Sequence, residues 1–307
     1  MDVSSDRGRS FKLARDEGVA AGLARVAAGR AEAALERLRD ATAGEADAAE
    51  AVHGARKDMK KLRTVLRLLR DELGKRAYRR ENARFRDAGR ALSQARDAEV
   101  KLATLNALAE EAGGLPAGAV ETWRQGLESD RKAAANIGLD RAMAEAIELI
   151  QPGLASIESW QPEGDSWATI AAPLRRTYRR GRQAMKAAES SRSEDDLHEW
   201  RKRAKDLWYE LRLLEAAWPQ VLGATAEEAH TLAELLGEQH DLAVLCADLR
   251  ERRLGEGETA SLEVAIQRRQ ERLIDEAIPL GRRLYAEEPR DFNRRLRRYW
   301  KAFSQRN

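Results

Sequence analysis

An internal repeat limits the folds that this chain can adopt. The segment "VHGARKDMKKLRTVLRLL" (52–69) returns 145 residues later as "LHEWRKRAKDLWYELRLL" (197–214). Counting from His53 and His198, nine of seventeen aligned positions are identical: the His, one Arg and two Lys, then four Leu and a second Arg. The leucines recur at helical spacing in both copies. Each copy therefore predicts an amphipathic helix, and the pair predicts a chain built from two similar halves.

Composition and periodicity together predict an all-α fold. Charged residues make up 35% of the 307 residues and only seven are proline, while Ala, Leu, Arg and Glu dominate. These four residue types lose little rotamer freedom in a helix. We therefore predict two four-helix bundles related by an internal pseudo-twofold repeat, plus a short C-terminal helix.

The breaks between helices follow the Gly and Pro positions. Segment 151–166 carries two prolines and two glycines and is the predicted boundary between a first half, 1–155, and a second half, 156–307. A Ser followed by acids in "SRSEDDLHEW" predicts the start of the second repeated helix. The predicted helices span about 10–40, 46–73, 76–112, 116–150, 167–188, 194–217, 224–253 and 258–286, with a last one after Pro289.

The remaining composition indicates a cellular compartment. Cys246 is the only cysteine, so the chain can form no internal disulfide. The N-terminus lacks the apolar region of a signal peptide, and no apolar stretch is long enough to span a membrane. We predict a cytoplasmic protein with no membrane association. The net charge of +3 does not by itself indicate a polyanion binder. Whether the chain binds polyanions depends on how the charges are distributed.

The side of each repeated helix opposite the leucines is basic. No Asp or Glu on this arc offers the i,i+4 partner of an ordinary solvated helix face. Like charges one turn apart repel, so a duplicated basic face favours binding of an anion over simple solvation. We define the first basic stripe as His53, Arg56, Lys57, Lys60, Arg63 and Arg67, and the second basic stripe as His198, Arg201, Lys202, Lys205 and Arg212.

The residue types suit a chain of phosphates. Arg grips phosphate oxygens bidentately, Lys acts as a point charge, and His donates a hydrogen bond or gains charge at low pH. If the pseudo-twofold brings the two helices face to face, the stripes line one groove, which favours an extended polyanion over a single charge. Tyr209 falls on the same arc of its helix and is a further candidate contact.

These two helices resemble the signature helices of the CHAD domain, the conserved histidine α-helical domain. The similarity extends over about residues 10–304 and includes the segment "TYRRGRQAM" (177–185). The resemblance implies two four-helix bundles around a basic surface that binds inorganic polyphosphate, and association with polyphosphate granules. It places phosphate contacts on both basic stripes and, from the preceding helix, on Arg179 and Arg182.

The sequence departs from the family pattern in two respects. Trp208 stands where the family often has an Arg, so one phosphate contact is missing or is replaced by the phenol of Tyr209. Many relatives also carry a CYTH domain, whose Glu-x-Glu-x-Lys motif does not occur here. We interpret the chain as a stand-alone, non-enzymatic binding module that needs no metal or cofactor. The sequence names no protein partner.

The main enzymatic alternative is a metal-dependent phosphohydrolase around His240-Asp241. Such a site needs further metal ligands, and His230 is one candidate. The repeat argues against it, because His240 aligns with Arg96, while the acid recurs as Asp97 and Asp241. A structural role for the two Asp residues is the preferred interpretation.

Two binding alternatives concern other ligands. Nucleic acid also presents a phosphate backbone, but single-strand binders add exposed aromatic side chains that stack on bases. We expect nucleic acid to be a weaker competitor. The C-terminal "RDFNRRLRRYWKAF" (290–303) is basic and amphipathic, and we expect its face of Phe292, Leu296, Tyr299 and Phe303 to pack on the second half.

Overall fold

Every regular element in the described part of the chain is helical. The computed structural model describes residues 9–93, 97–160, 165–252 and 254–305. No helix among these residues is both long enough and apolar enough to cross a membrane. The α-helices are α1 Val19–Thr42, α2 Ala48–Leu68, α3 Arg70–Ala91, α4 Asp97–Glu111, α5 Ala117–Glu158, α6 Trp167–Ser191, α7 Glu194–Leu214, α8 Pro219–Glu251, α9 Glu256–Leu284 and α10 Pro289–Ser304, with a 3₁₀ turn at Glu215–Ala217.

The repeated segments form α2 and α7, and their leucines are buried as predicted. Leu62 and Leu66 in α2 are fully buried, and Leu207 and Leu211 in α7 are each 1% exposed. The predicted N-cap of α7 is also confirmed, because the Ser193 side chain accepts a hydrogen bond from the backbone N–H of Asp196. The 3.6-residue period therefore identifies both the helices and their core faces.

The predicted third helix, 76–112, is wrong as a single element. It is divided between α3, which ends at Ala91, and α4, which begins at Asp97, while residues 94–96 lie outside the described part. The predicted break between residues 73 and 76 is confirmed as a kink inside α3, where the backbone of Gly74 is not helical and has φ 74°. Glycine alone adopts this left-handed φ without strain from a Cβ.

The predicted fourth helix, 116–150, ends too early, because α5 continues through Pro152 to Glu158. Phe85 of α3 is fully buried and packs against Gly153, where any side chain would overlap the aromatic ring. Ile150 and Ile157 are also buried on either side of the proline. Tertiary packing therefore outweighs the local cost of a proline inside the helix.

The described residues bury two apolar cores, and each contains side chains from both predicted halves. The first core joins α1, α2, α3, α6, α7 and α10 to parts of α5, α8 and α9. The second core is formed by α4, the beginning of α5, the end of α8 and the beginning of α9. The division into two bundles related by a pseudo-twofold stays a prediction.

A buried carboxylate anchors the second core. Asp248 of α8 accepts hydrogen bonds from Trp123 of α5 at 2.9 Å and from Lys101 of α4 at 2.8 Å. Arg252 donates to it from one turn further along α8, at 2.6 Å. Burial acts to raise the pKa of Asp248, but these hydrogen bonds outweigh it and hold the pKa at about 2.

The C-terminal helix packs on the second half, as its apolar face predicts. Phe292 stacks on Tyr178 of α6 with the ring centroids 4.0 Å apart, and Leu296 is 2% exposed. The Asn293 side chain donates to the carbonyl of Ala171 in α6 at 2.7 Å. These contacts fix the beginning of α10 against the side of α6.

Candidate anion-binding site

The two basic stripes lie on helices that touch. Helices α2 and α7 are in contact, and Arg67 of the first basic stripe forms an ion pair with Asp206 of α7 at 2.5 Å. Asp206 is also bound by Arg203, one turn earlier in α7, at 2.8 Å. The ion pair joins the far end of the first basic stripe to the helix that carries the second.

Buried polar contacts set the rotation of both helices. On α2, Asp58 accepts hydrogen bonds from Arg30 of α1 at 3.2 Å and from Arg37 of α1 at 2.5 Å. On α7, Glu210 accepts a hydrogen bond from the Thr177 hydroxyl of α6 at 2.8 Å. Because α2 is tied to α1 and α7 to α6, each helix keeps its leucines inward and its cations on the opposite side.

Two arginines of the first basic stripe donate hydrogen bonds to neutral groups. Arg56 donates to the backbone carbonyl of Leu92 at 3.4 Å, and Arg63 donates to the side-chain amide oxygen of Asn82 at 3.1 Å. Burial lowers the pKa of Arg63, and the neighbouring charge of Arg67 lowers it further. An Arg side chain stays charged at neutral pH. These two hydrogen bonds therefore orient the guanidinium groups through acceptors that carry no charge.

His198 of the second basic stripe lies beside His240 of α8, a contact that the sequence did not predict. The ring of His198 lies 4.5 Å from the ring of His240 in α8. Burial lowers the pKa of His198, as do the charges of Lys202 and Arg201. Burial, Arg201, His198 and Lys205 lower the pKa of His240 to about 4. Above that pH His240 is neutral, and it stands among cations.

The charge of Arg201 acts on both histidines. Its guanidinium lies near Gly237 of α8, where a Cβ would make van der Waals contact with it. Burial lowers its pKa, against the attraction of Asp241. Within the described residues, Nε of Arg201 and Nδ1 of His198 are buried without a hydrogen-bond partner. The aligned dipeptides Arg96-Asp97 and His240-Asp241 were the available signal for His240, but Arg96 and the Asp97 side chain lie outside what the structure describes.

Two outer cations of the second basic stripe have acidic partners on their own helix or just beyond it. Lys202 pairs with Glu199 at 2.6 Å, and Arg212 pairs with Glu215 at 3.2 Å. Both acids stand three residues away and off the arc, so the absence of an i,i+4 partner on the arc did not predict these two ion pairs. The Lys202–Glu199 pair is exposed at both ends, and such a pair contributes roughly 0–1 kcal/mol, so an anionic ligand can displace it.

Tyr209 is a core residue. It is 6% exposed, its ring stacks on Trp208 with centroids 4.5 Å apart, and Phe11 meets its edge at 6.0 Å. Burial, with the nearby charge of Asp58, raises the pKa of its phenol to about 12. The helical arc placed this residue too close to the basic side, and we leave it out of the proposed site.

Arg179 and Arg182 lie in a different pocket. Both line a space of about 670 Å³ between α6 and the beginning of α10, and no residue of either basic stripe lines it. Arg182 forms an ion pair with Glu288 at 2.5 Å. That these two arginines extend the basic stripes stays a prediction.

The residues considered for a metal site do not converge. His230 lies 4.0 Å from the Trp208 ring and 3.5 Å from the Glu234 carboxylate, whereas His240 faces His198. Across the described ranges, no group of three or more His, Cys, Asp or Glu side chains is arranged to hold a metal ion.

Comparison with protein-family models matches residues 28–250 to the CHAD domain. The chain belongs to the CHAD domain family. The CHAD match begins within α1, ends near the last turn of α8, and contains both basic stripes. It is shorter than the similarity expected from the sequence, and α9 and α10 fall outside it. CHAD domains are known for binding polyphosphate rather than for catalysis. Comparison with curated proteins found no match.

Proposed function

We propose that this protein binds inorganic polyphosphate along the two basic stripes and catalyses no reaction. The proposal rests on the crowding of like charges beside two helices that touch. Burial and then the charge of Arg67 lower the pKa of Arg63, and burial followed by Arg201, His198 and Lys205 lowers the pKa of His240 to about 4. Cations brought together in this way repel, and a phosphate chain relieves the repulsion at many points at once.

Partial burial strengthens this argument. The side chains of the stripes, apart from the exposed Lys57, Lys202 and Arg212, are partly withdrawn from solvent. Charges near low-dielectric protein surface are screened less than charges in open water. Hydrogen bonds to neutral groups, such as that from Arg63 to Asn82, hold the cations in place before the ligand arrives. The ligand then loses less binding free energy to ordering of the site.

Polyphosphate suits the stripes better than nucleic acid does. The ring of Trp208 in α7 is in contact with the rings of Tyr209 and His230. Tyr209 itself is buried. Neither residue is free to act as a stacking platform for bases, whereas inorganic polyphosphate has no bases. Nucleic acid is accordingly expected to compete only through its backbone.

The first test is a competition titration with Arg201→Glu/Lys205→Glu. Labelled long-chain polyphosphate is bound at several salt concentrations against single-stranded DNA, RNA and short phosphates. Wild-type protein should prefer polyphosphate and show a steep log–log salt dependence. Each lost phosphate contact flattens that slope by about 0.7, so the double variant should lose about 1.4 of slope along with most of its affinity.

A charge-matched control is Arg131→Glu/Lys132→Glu, which changes two exposed cations of α5 by the same amount. This control should bind like the wild type, and all three proteins should keep the same helical circular-dichroism spectrum. Equal affinities in the two double variants would show that net charge, not the stripes, holds the ligand. Preference for DNA or RNA would favour a nucleic-acid interface. Phosphate release that depends on a divalent metal would favour the phosphohydrolase around His240-Asp241.

We further propose that this binding brings the protein to polyphosphate granules in the cytoplasm. A fluorescent fusion of the wild type should co-localise with the granules. The fusion of Arg201→Glu/Lys205→Glu should be diffuse, and that of Arg131→Glu/Lys132→Glu should follow the wild type. If the fusions of both variants associate with the granules, the basic stripes are not needed for this localisation.

A further inference from the structure

The space between α6 and the beginning of α10 is lined mainly by cations. Four come from α6, namely Arg175, Arg179, Arg182 and Lys186, and Arg290 comes from α10. Two carboxylates also line it, so five positive and two negative side chains give a net charge of +3. None of these residues belongs to either basic stripe.

The α6 cations form one row along the helix. Their spacing of four, three and four residues places them on one face and spreads them over about 16 Å, at about 1.5 Å per residue. Lys186, Arg179 and Arg175 are exposed, and Arg182 is partly buried. Cations in such a row destabilise one another, and the length of the row matches an extended anion better than a compact one.

Glu288 already places an anionic oxygen in this space. Its carboxylate lies 2.5 Å from the guanidinium of Arg182, and it is 64% exposed. The hydrogen bond with Glu288 raises the pKa of Arg182, and the hydrogen bond with Arg182 lowers the pKa of Glu288. A carboxylate so open to solvent is a displaceable occupant of the position that a ligand oxygen would take.

One wall of this space is α6, and the other is the beginning of α10, which is held in place by its contacts. Helix α10 begins at Pro289, so its positive end points toward the same space. The stacking of Phe292 on Tyr178 and the hydrogen bond from Asn293 to Ala171 fix that end against α6. Residues 288–291 lie beyond the part of the chain that matches the CHAD model, which ends at residue 250. This wall therefore lies outside the matched range.

We propose that the groove between α6 and α10 is a second anion site, which binds a further segment of a phosphate chain and in which Glu288 competes with the ligand. The proposal rests on polyphosphate being the ligand of the basic stripes. The C-terminal helix is then part of the binding surface. One long phosphate chain, or two chains, can bind at the basic stripes and in this groove at the same time.

The test compares three variants with long-chain polyphosphate and with tripolyphosphate. Lys186→Glu/Arg290→Glu alters exposed side chains outside both stripes, and Arg131→Glu/Lys132→Glu is its charge-matched control. Glu288→Gln removes the competing charge and does not remove a cap, because the Glu288 side chain makes no cap hydrogen bond. Circular dichroism and urea unfolding check that each variant is folded.

Lys186→Glu/Arg290→Glu should weaken binding of the long chain by about tenfold, the loss expected for a charge-assisted contact, and flatten its salt slope by about 1.4. Glu288→Gln should tighten long-chain binding, a gain that a purely structural role would not produce. Long-chain binding equal to the control in both variants overturns the second site while leaving the stripes intact. If the wild-type protein binds no polyphosphate, both the second site and the proposed function of the basic stripes are overturned. Competition by polyglutamate as strong as by polyphosphate overturns the phosphate assignment of this groove.

Discussion

The burial of Glu210 in α7 predicts how the stability of the protein depends on pH. It is 1% exposed, and its Oε1 accepts a hydrogen bond from the Thr177 hydroxyl at 2.8 Å. Its other oxygen, Oε2, is buried with no hydrogen-bond partner among the described residues. Burial raises its pKa to about 8; Asp206 adds to the rise, and Thr177, Arg67 and Arg203 oppose it.

The sign of the pH effect follows from this shift. The folded protein keeps a proton on Glu210 that the unfolded chain releases above its ordinary pKa of 4.5. The stabilisation is therefore complete below pH 4.5 and is lost as the pH rises toward 8. At 1.36 kcal/mol per pKa unit, the loss is about 1 kcal/mol at pH 5 and about 3 kcal/mol at pH 7.

Glu210→Gln removes this proton and keeps an oxygen that accepts from Thr177. Measured by urea unfolding, its free energy of unfolding relative to the wild type should rise by about 2 kcal/mol between pH 5 and pH 7. Glu276→Gln, at an exposed carboxylate of α9, serves as the control and should follow the wild-type profile. Parallel pH profiles in the wild type and Glu210→Gln would falsify the assignment of a neutral, buried Glu210.

Two further predictions concern α8. Because bound phosphates favour charged imidazoles, wild-type affinity for polyphosphate should rise between pH 7 and pH 5; isothermal titration should show a smaller rise for His240→Gln, and an identical rise would place the effect elsewhere. Asp248→Ala leaves Lys101 and Trp123 without their shared acceptor and should lower the free energy of unfolding by about 3 kcal/mol. A loss below about 1 kcal/mol in urea denaturation would show that this carboxylate is dispensable.

The sequence predicted what depends on local periodicity. The two repeated helices, the burial of their leucines and the Ser193 cap all follow from patterns within a few turns of chain. The family was also predictable, because the repeat preserves the histidine and the cations at fixed spacing. Both basic stripes could therefore be named from the sequence alone, although their contact with a ligand stays a proposal.

Features that depend on contacts between distant segments were not predictable. The helix continues past Pro152 because Gly153 accommodates Phe85, which no local pattern indicates. His240 of α8 meets His198 of α7, and the sequence had raised His240 only as part of the alternative metal site. The angular position of a residue on a helix also does not show whether a neighbouring element buries its side chain. The burial of Tyr209 was therefore not predicted.

The second core has a consequence for synthesis of the chain on the ribosome. Trp123 of α5 is fully buried against partners that include Leu262 of α9, which is made 139 residues later. Because synthesis proceeds at about 5–20 residues per second, α4 and the first half of α5 are made on the order of ten seconds before those partners. During that interval the nascent protein presents an uncovered apolar surface, which makes the middle of the chain a natural place for a chaperone to bind.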